Sequence, residues 1–356
     1  MRRTPCSRRW TDEIGQTARP FGPLDASSGQ TVPQTQARGL DDASVDSWEY
    51  RLKLFVEWCE GIDIQRVGEL QAFDLDEYYD VRSGKIRPAT LEAEMWTLKK
   101  FVEYLEQLGA VDDLADAVRI PDVDEDDRSN EELLEESPAL KLIDHFRNDD
   151  QLRGTRNHAF LEIAWHTGAR MGSIRALDLR DANLEENYLH FQHRPETGTP
   201  LKNKKRGERP VAIPTEVSDV LRDYIANHRY DVYDDHNRQP LLSSTRGRPG
   251  KNTIRVWSYL GTLPCHYCPC PHGREREECE MTEFAHASKC PSSRSPHRIR
   301  TGSITWQLNI GIPPEVVAER VNAGLDVIEQ HYDKESPLER MERRRRQHIE
   351  RMEVDR

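Results

Sequence analysis

Lysine is scarce in this chain. Of the 51 basic residues only 11 are lysine, which leaves 40 arginines, and 63 acidic residues bring the formal net charge to -12 over 356 residues. Long apolar runs are missing as well. Mean hydropathy is -0.84, and no stretch approaches the roughly 20 consecutive apolar residues of a membrane span. The basic opening MRRTPCSRRW lacks the apolar core of a secretion signal. These absences predict a cytoplasmic protein with no membrane partner. The shortage of positive charge argues at first against nucleic acid, but the charge is unevenly spread: acids crowd residues 122–127 and 131–136, and bases crowd 202–209 and 343–346. In molar salt the Debye length shrinks to about 3 Å, so diffuse lysine attraction for phosphate fades while close bidentate arginine contacts persist. The composition suits a DNA-handling protein of a high-salt cytoplasm, and equally an acidic protein that never meets DNA.

The length suggests about two domains. Residues 1–42 are rich in Gly, Pro, Ser, Thr and Gln without periodicity and read as a disordered tail. A helical unit is predicted over 43–120. Trp48, Leu52, Phe55 and Cys59 recur at helical spacing, as do Leu91, Met95, Leu98, Val102 and Leu105 after a Pro88/Thr90 start, and a shorter helix is expected over 74–81. Lys99 and Lys100 on the second long helix form a candidate DNA-facing pair. Residues 121–137 (PDVDEDDRSNEELLEES) read as an acidic linker. A second domain is expected over 138–335, with a helix at 159–166, strands at 188–192 and 209–213, a helix at 215–228, a Cys/His-rich insertion at 262–291 and further helices. A charged helix over 336–356 closes the chain. The fold class implied is mainly α with a small β-hairpin or sheet, an α+β arrangement.

Four segments carry chemistry. They are WHTGARMGSIRALDL from Trp165, LKNKKRGERPVAIP from Leu201, SPHRIRTGSI from Ser295, and VIEQHYDK from Val327. A phosphodiester is already an anion, so a nucleophile reaching it needs preorganised positive donors on the non-bridging oxygens. Arginine supplies a fixed fork of donors matched to phosphate. His297 and Arg300 stand three apart at a helix start and share a face, and Arg170 follows a Thr-Gly break. Tyr332 is the only tyrosine after His297. A phenol needs activation, and nearby guanidinium groups favour the phenolate. A leaving 5′-oxygen needs a proton, which a lysine ammonium can give and a guanidinium effectively cannot. Lys202 is favoured for that role and Lys204 is the alternative, while Lys204, Lys205 and Arg209 are candidate DNA contacts.

Taken in order, these segments resemble the tyrosine recombinase (phage integrase) family: a TGxR box, a Lys-bearing β-hairpin, an HxxR box and a nucleophile segment. The block PSSRSPH and the cysteines before it look like integrases of haloarchaea, in line with a high-salt archaeal cytoplasm and association with the nucleoid. The resemblance implies a helical, SAM-like core-binding domain followed by a catalytic domain, and site-specific cleavage and rejoining of double-stranded DNA through a 3′-phosphotyrosyl intermediate on Tyr332. It also implies a dimer or tetramer on DNA, and no ATP or metal for catalysis. Two positions depart from the family's pattern. Ala323 stands where a His or Trp is usual nine residues before the nucleophile, with Asn322 a possible substitute donor, and Ser173 replaces a common acid three positions after Arg170. The alternative reading is therefore a catalytically impaired, zinc-containing DNA-binding protein derived from a recombinase. A type IB topoisomerase shares the chemistry but not the compact size.

Five of the 7 cysteines fall within 265–290. Disulfides are uncommon inside cells, and four soft ligands suit tetrahedral zinc. Cys265, Cys270, Cys279 and Cys290 are the expected ligands of a structural Zn²⁺, with Cys268 or His272 as substitutes.

Overall fold

A computed structural model describes residues 42–124 and 132–331, together with Leu338 and Met341. The expected tail, the middle of the acidic linker, Tyr332 and nearly all of the expected C-terminal helix lie outside the described residues. The chain forms two compact units, divided between Asn130 and Glu131. Among the described residues no helix is long and apolar enough to cross a membrane.

The first unit contains α1 (Asp42–Gly61), α2 (Ala72–Ser83) and α3 (Pro88–Gln107). Proline at the first position of α3 costs no hydrogen bond, because that N–H has no intrahelical partner anyway. The apolar spacing noted above becomes one core, in which Phe55, Cys59, Leu91, Met95, Leu98 and Val102 are buried together. Glu94 is buried on α3 and accepts from Tyr78 Oη at 2.6 Å and from Arg82 Nε and Nη2 at 2.6 and 2.9 Å, so its charge is compensated. Lys99 reaches Asp116 at 3.2 Å and Lys100 reaches Glu103 at 2.7 Å.

The second unit is built around α5 (Arg156–Thr167), in which every residue from His158 to Thr167 is buried. Around it run α4 (Glu136–Asn148), α6 (Met171–Ala176), α7 (Thr215–Asn227), α8 (Lys251–Gly261) and α9 (Pro296–Asn309), followed by α10 (Pro314–Val321) and α11 (Leu325–His331). Three short strands, β1 (Ala182–Asn183), β2 (Tyr188–Phe191) and β3 (Arg209–Ala212), form one antiparallel sheet in chain order, with Tyr188 opposite Ala212 and Phe191 opposite Arg209. The strands and the helix at 215 begin where the sequence predicts. The acidic segment, however, is not linker to its end. Leu134 is 3% exposed and its N–H donates to Arg298 O at 3.1 Å. A methyl on Gly302 would lie 1.9 Å from Leu134 O, so this approach to α9 requires glycine.

Many arginines point inward. Asp178 and Asp181, just before β1, are buried; Arg194 forks onto Asp181 at 2.8 and 2.6 Å and reaches Asp178 at 3.2 Å, while Arg238 lies 3.4 Å from Asp178. Arg248 also donates to Asp178, and it joins Asp234 at 2.8 Å. Removing one member of such a network strands the others' charge in low dielectric. Asp178→Ala is expected to destabilise the second unit by roughly 3–5 kcal/mol, measured by urea unfolding; a loss below about 0.5 kcal/mol would show that water already solvates these arginines.

Candidate active site

Thr167 ends α5 and Gly168 caps it in the left-handed conformation, at φ 58°. A methyl there would also sit 2.8 Å from Val321 Cγ1, so the glycine is required both by its backbone angle and by the closeness of α10. The turn delivers Arg170 to the start of α6. Ser295 caps α9, its Oγ accepting from Arg298 N at 3.5 Å, and Pro296 opens the helix. His297 and Arg300 therefore fall in its first turn, His297 exposed and Arg300 3% exposed.

The C-terminal end of α10 gathers the arginines. Its last carbonyls have no intrahelical partner and carry the negative end of the helix dipole. Arg320 O accepts from Arg209 Nε at 2.7 Å, Val321 O from Arg300 Nη1 at 2.7 Å, and Asn322 O from Arg170 Nη1 at 2.6 Å. Three consecutive carbonyls thus take one guanidinium each. Asn322 is left-handed, φ 55°, which turns its carbonyl off the helix axis. Arg300 also donates to Gly168 O, joining the two glycine-containing boxes. Arg320 itself spans Gln307 Oε1 at 3.0 Å, His166 O at 2.9 Å and Ala212 O at 3.1 Å.

Like charges this close disfavour one another. Burial, then Arg300, Arg170 and Arg320, push the Arg209 guanidinium down to about 10. His297 is lowered from the usual imidazole value by partial burial of its ring, then by Arg300, Arg170 and Lys202. Lys202 is therefore the hairpin lysine whose charge is felt at His297. Lys204 and Lys205, exposed like Lys202, line an open groove with His193, Glu196 and Arg206. The structure brings Arg170 and Arg300 together on adjacent carbonyls, with His297 in the same helical turn as Arg300.

Arg209 differs from the expected DNA contact. It is 8% exposed, lies over the Phe191 ring at 4.7 Å and donates to Gly207 O at 2.9 Å, because strand alternation turns its side chain to the core face. Asn322 contributes through its backbone carbonyl, while its Oδ1 accepts from Asn203 Nδ2 at 2.9 Å. Ala323 packs against the apolar cluster of Ile304, Leu308, Val317 and Ile328. No local motif marks Arg320 in the sequence. Of the expected zinc ligands, Cys265, Cys270, Cys279 and Cys290 line one small cavity, with His272 beside them. Among the described residues no three His, Cys, Asp or Glu side chains already stand arranged to hold a metal ion. The expected zinc site is therefore not supported: Arg274 and Arg276 line the same cavity, and their guanidinium groups disfavour a divalent cation there. Burial, the largest influence, raises the Cys265 thiol.

Within α5, the fully buried Glu162 accepts from Arg147 at 2.6 and 3.0 Å and faces His158 Nε2 and His166 Nδ1, each at 3.1 Å. Burial alone would raise Glu162, but these partners hold it well below the usual carboxylate range. Gly154 N–H donates to His158 Nδ1 at 3.1 Å, so the ring is neutral with its proton on Nε2, and burial depresses its pKa.

Residues 132–268 match the family model "Phage integrase family". The tyrosine recombinase XerC of Treponema denticola is 24% identical over 230 residues, 61% of this chain and 65% of that protein, so the match spans just under two thirds of the relative. The Tn1549 transposon integrase, solved in complex with a circular intermediate DNA, superposes with a TM-score of 0.62 at 15% identity, covering 90% of this chain and 97% of that one. The N-terminal domain of a phage integrase/site-specific recombinase from Haloarcula marismortui is 46% identical over 24% of this chain and 86% of its own, with a TM-score of 0.24. The second unit is thus similar to the phage integrase family over residues 132–268. Its mainly helical fold with one small sheet is like that of the Tn1549 transposon integrase.

One pH dependence follows from His158. The unfolded chain takes up this proton near pH 6.5, the folded chain only at lower pH. Stability present above about pH 6.5 is therefore lost as pH falls toward the folded value, with a slope of at most about 1.4 kcal/mol per pH unit. Urea unfolding of wild type and His158→Gln between pH 7.5 and 5 should show the steeper fall in wild type; equal slopes would mean that His158 does not titrate in this range.

Proposed function

We propose that the chain is a site-specific DNA recombinase or integrase that breaks and rejoins strands through Tyr332. The observation that carries this reading is the gathering of Arg170 and Arg300 on adjacent carbonyls of one helix end, with His297 and Lys202 within electrostatic reach. Two guanidinium forks and an imidazole are what a pentacoordinate phosphate needs. Tyr332 follows α11 directly in sequence. The phenol gives up its proton to solvent as its oxygen attacks the scissile phosphorus, a P–O bond to tyrosine forms and the bond to the 5′-oxygen breaks, and Lys202 protonates the departing oxygen. Attack by another strand's 5′-hydroxyl reverses these steps and returns the proton to the lysine. One phosphodiester is exchanged for another, so the reaction needs neither ATP nor a catalytic metal. Arg209 and Arg320 act as positioning residues, through the carbonyls and the fold around the clamp.

Double-stranded DNA is the proposed partner, consistent with the DNA-bound integrase of similar fold. Each chain supplies one nucleophile, so a dimer serves the two strands of one duplex and a tetramer the four strands of an exchange between two duplexes. Lys99, Lys100, Lys204 and Lys205 are proposed backbone contacts, to which Lys99 and Lys100 would come by exchanging their present carboxylate partners for phosphate. The protein works where its DNA is, in the cytoplasm, and the acidic, arginine-rich composition suits high salt.

A second reading keeps a specific observation: Ala323 is part of an apolar cluster and offers no donor, which fits a DNA-binding protein that no longer cleaves. A nicked suicide substrate carrying the cognate site, incubated at high KCl, separates the two. Wild type should form a covalent protein–DNA adduct, Tyr332→Phe none, and Lys202→Ala should lower the cleavage rate roughly 10²–10⁴-fold with DNA affinity little changed. An adduct persisting in Tyr332→Phe would overturn the nucleophile, and none from wild type would favour the non-catalytic reading. A larger loss in Lys204→Ala than in Lys202→Ala would move the acid role to Lys204.

A further inference from the structure

The loop that carries Lys202 has little packing of its own. Residues 202–206 and Glu208 are exposed, and only Gly207 between them is buried. The loop contains a single 3₁₀ turn, Lys204–Gly207, in which Lys204 sits at φ 53°. A lysine head group on a flexible four-carbon stem is poorly fixed by such a segment. An acid must nevertheless stand within hydrogen-bond reach of the oxygen it protonates. Where the ammonium lies therefore depends on how the two legs of the loop are held.

One residue holds both legs. His193 lies two residues beyond the end of β2. Its Nδ1 accepts from Leu201 N at 2.9 Å on the leading leg, and its own backbone N–H donates to Glu208 Oε1 at 3.0 Å on the trailing leg. A backbone N–H can only donate, so Nδ1 carries no proton and the ring is neutral with its proton on Nε2. Leu201, the residue immediately before Lys202, is 3% exposed. His193 in turn stands between two fixed points. Phe191 is part of the core, and Arg194 is buried against Asp181 and Asp178. The backbone of Arg194 also pairs with that of Thr199, donating at 3.2 Å and accepting at 3.0 Å.

We propose that His193 is a positioning residue for Lys202: its imidazole fixes the leading leg of the loop and thereby places the lysine ammonium at the departing 5′-oxygen. The proposal rests on the reading of Lys202 as the acid. His193 touches no reacting atom and acts through the backbone of Leu201 alone. Without an acceptor at Nδ1 the Leu201 N–H turns to water and the start of the loop is released. The ammonium then spends its time where the proton cannot be delivered, and a misplacement of about 1 Å costs about 10²-fold in rate. Asparagine offers a carbonyl oxygen close to where Nδ1 stands, so it can take the same N–H without an imidazole.

The test uses the full chain and two nicked suicide substrates, one with the ordinary 5′-oxygen at the scissile bond and one with sulfur in its place. A thiol is far more acidic than an alcohol, so when the P–S bond breaks the thiolate leaves with the electron pair and needs no proton. On the oxygen substrate His193→Ala should cleave roughly 10²-fold more slowly than wild type, and His193→Asn should recover most of that loss. On the sulfur substrate His193→Ala and Lys202→Ala should both cleave at close to the wild-type rate. Adding His193→Ala to Lys202→Ala should cost nothing further on either substrate. Amide hydrogen exchange at Leu201 should rise in His193→Ala and not in His193→Asn, whether or not the protein cleaves DNA. A His193→Ala protein as fast as wild type on oxygen would overturn the positioning role, as would unchanged exchange at Leu201. A His193→Ala protein slow on both substrates would make the residue structural only and overturn the role as well. A Lys202→Ala defect that sulfur does not rescue would instead overturn the acid assignment, leaving no acid for His193 to place.

Discussion

Everything in the second unit that faces the proposed phosphate depends on how α10 ends. A helix C-terminus offers carbonyls with no partners of their own, and here three in succession orient three arginines drawn from β3, from α9 and from the turn after α5. The carbonyls fix the forks without neutralising them, as a carboxylate would. The clamp keeps its positive charge and loses rotational freedom before a ligand arrives, which is the preorganisation that electrostatic catalysis needs. Arg209 carries the cost, its guanidinium pushed down to about 10 by burial and its neighbours.

Arginine has a second use in this chain. Asp178, Asp181 and Asp234 bind Arg194, Arg238 and Arg248 in a mostly buried network, and Glu162 binds Arg147 inside the helix pack. A bias toward arginine that composition alone refers to phosphate contacts is thus partly a matter of folding. Planar forks satisfy both oxygens of a buried carboxylate, which a lysine cannot do. The acidic surplus lies elsewhere, in exposed side chains and in the segment around the division between the units.

Sequence reasoning reached the parts of the site that have local marks. Arg170 is marked by the Thr-Gly break before it, and His297 and Arg300 by Pro296, which opens their helix one residue before the first and four before the second. The two strands and α7 follow from alternation and from the turn chemistry at Pro214. What it could not reach depends on contacts across the chain. Arg320 has no motif, since its partners at Gln307, His166 and Ala212 come from three different elements. Arg209 reads as a surface base because nothing local shows that its side of β3 is covered. His158 and Glu162 disappear into a helix buried on every side, where amphipathic periodicity has no signal. Leu134 reads as linker because its acidic neighbours outweigh two leucines in any composition window.

One exposed contact ties the lysine loop to this clamp. Asn203, next to Lys202, donates to the side chain of Asn322, whose backbone carbonyl holds Arg170. Gly207, farther along the loop, sits so close that a methyl there would fall 2.7 Å from Asn322 Nδ2. A single exposed amide–amide bond is worth about 1 kcal/mol, enough to keep the joint closed roughly five-sixths of the time. In the proposed mechanism this joint acts as a tether: it holds the loop that carries Lys202 to the same helix end that aims Arg170.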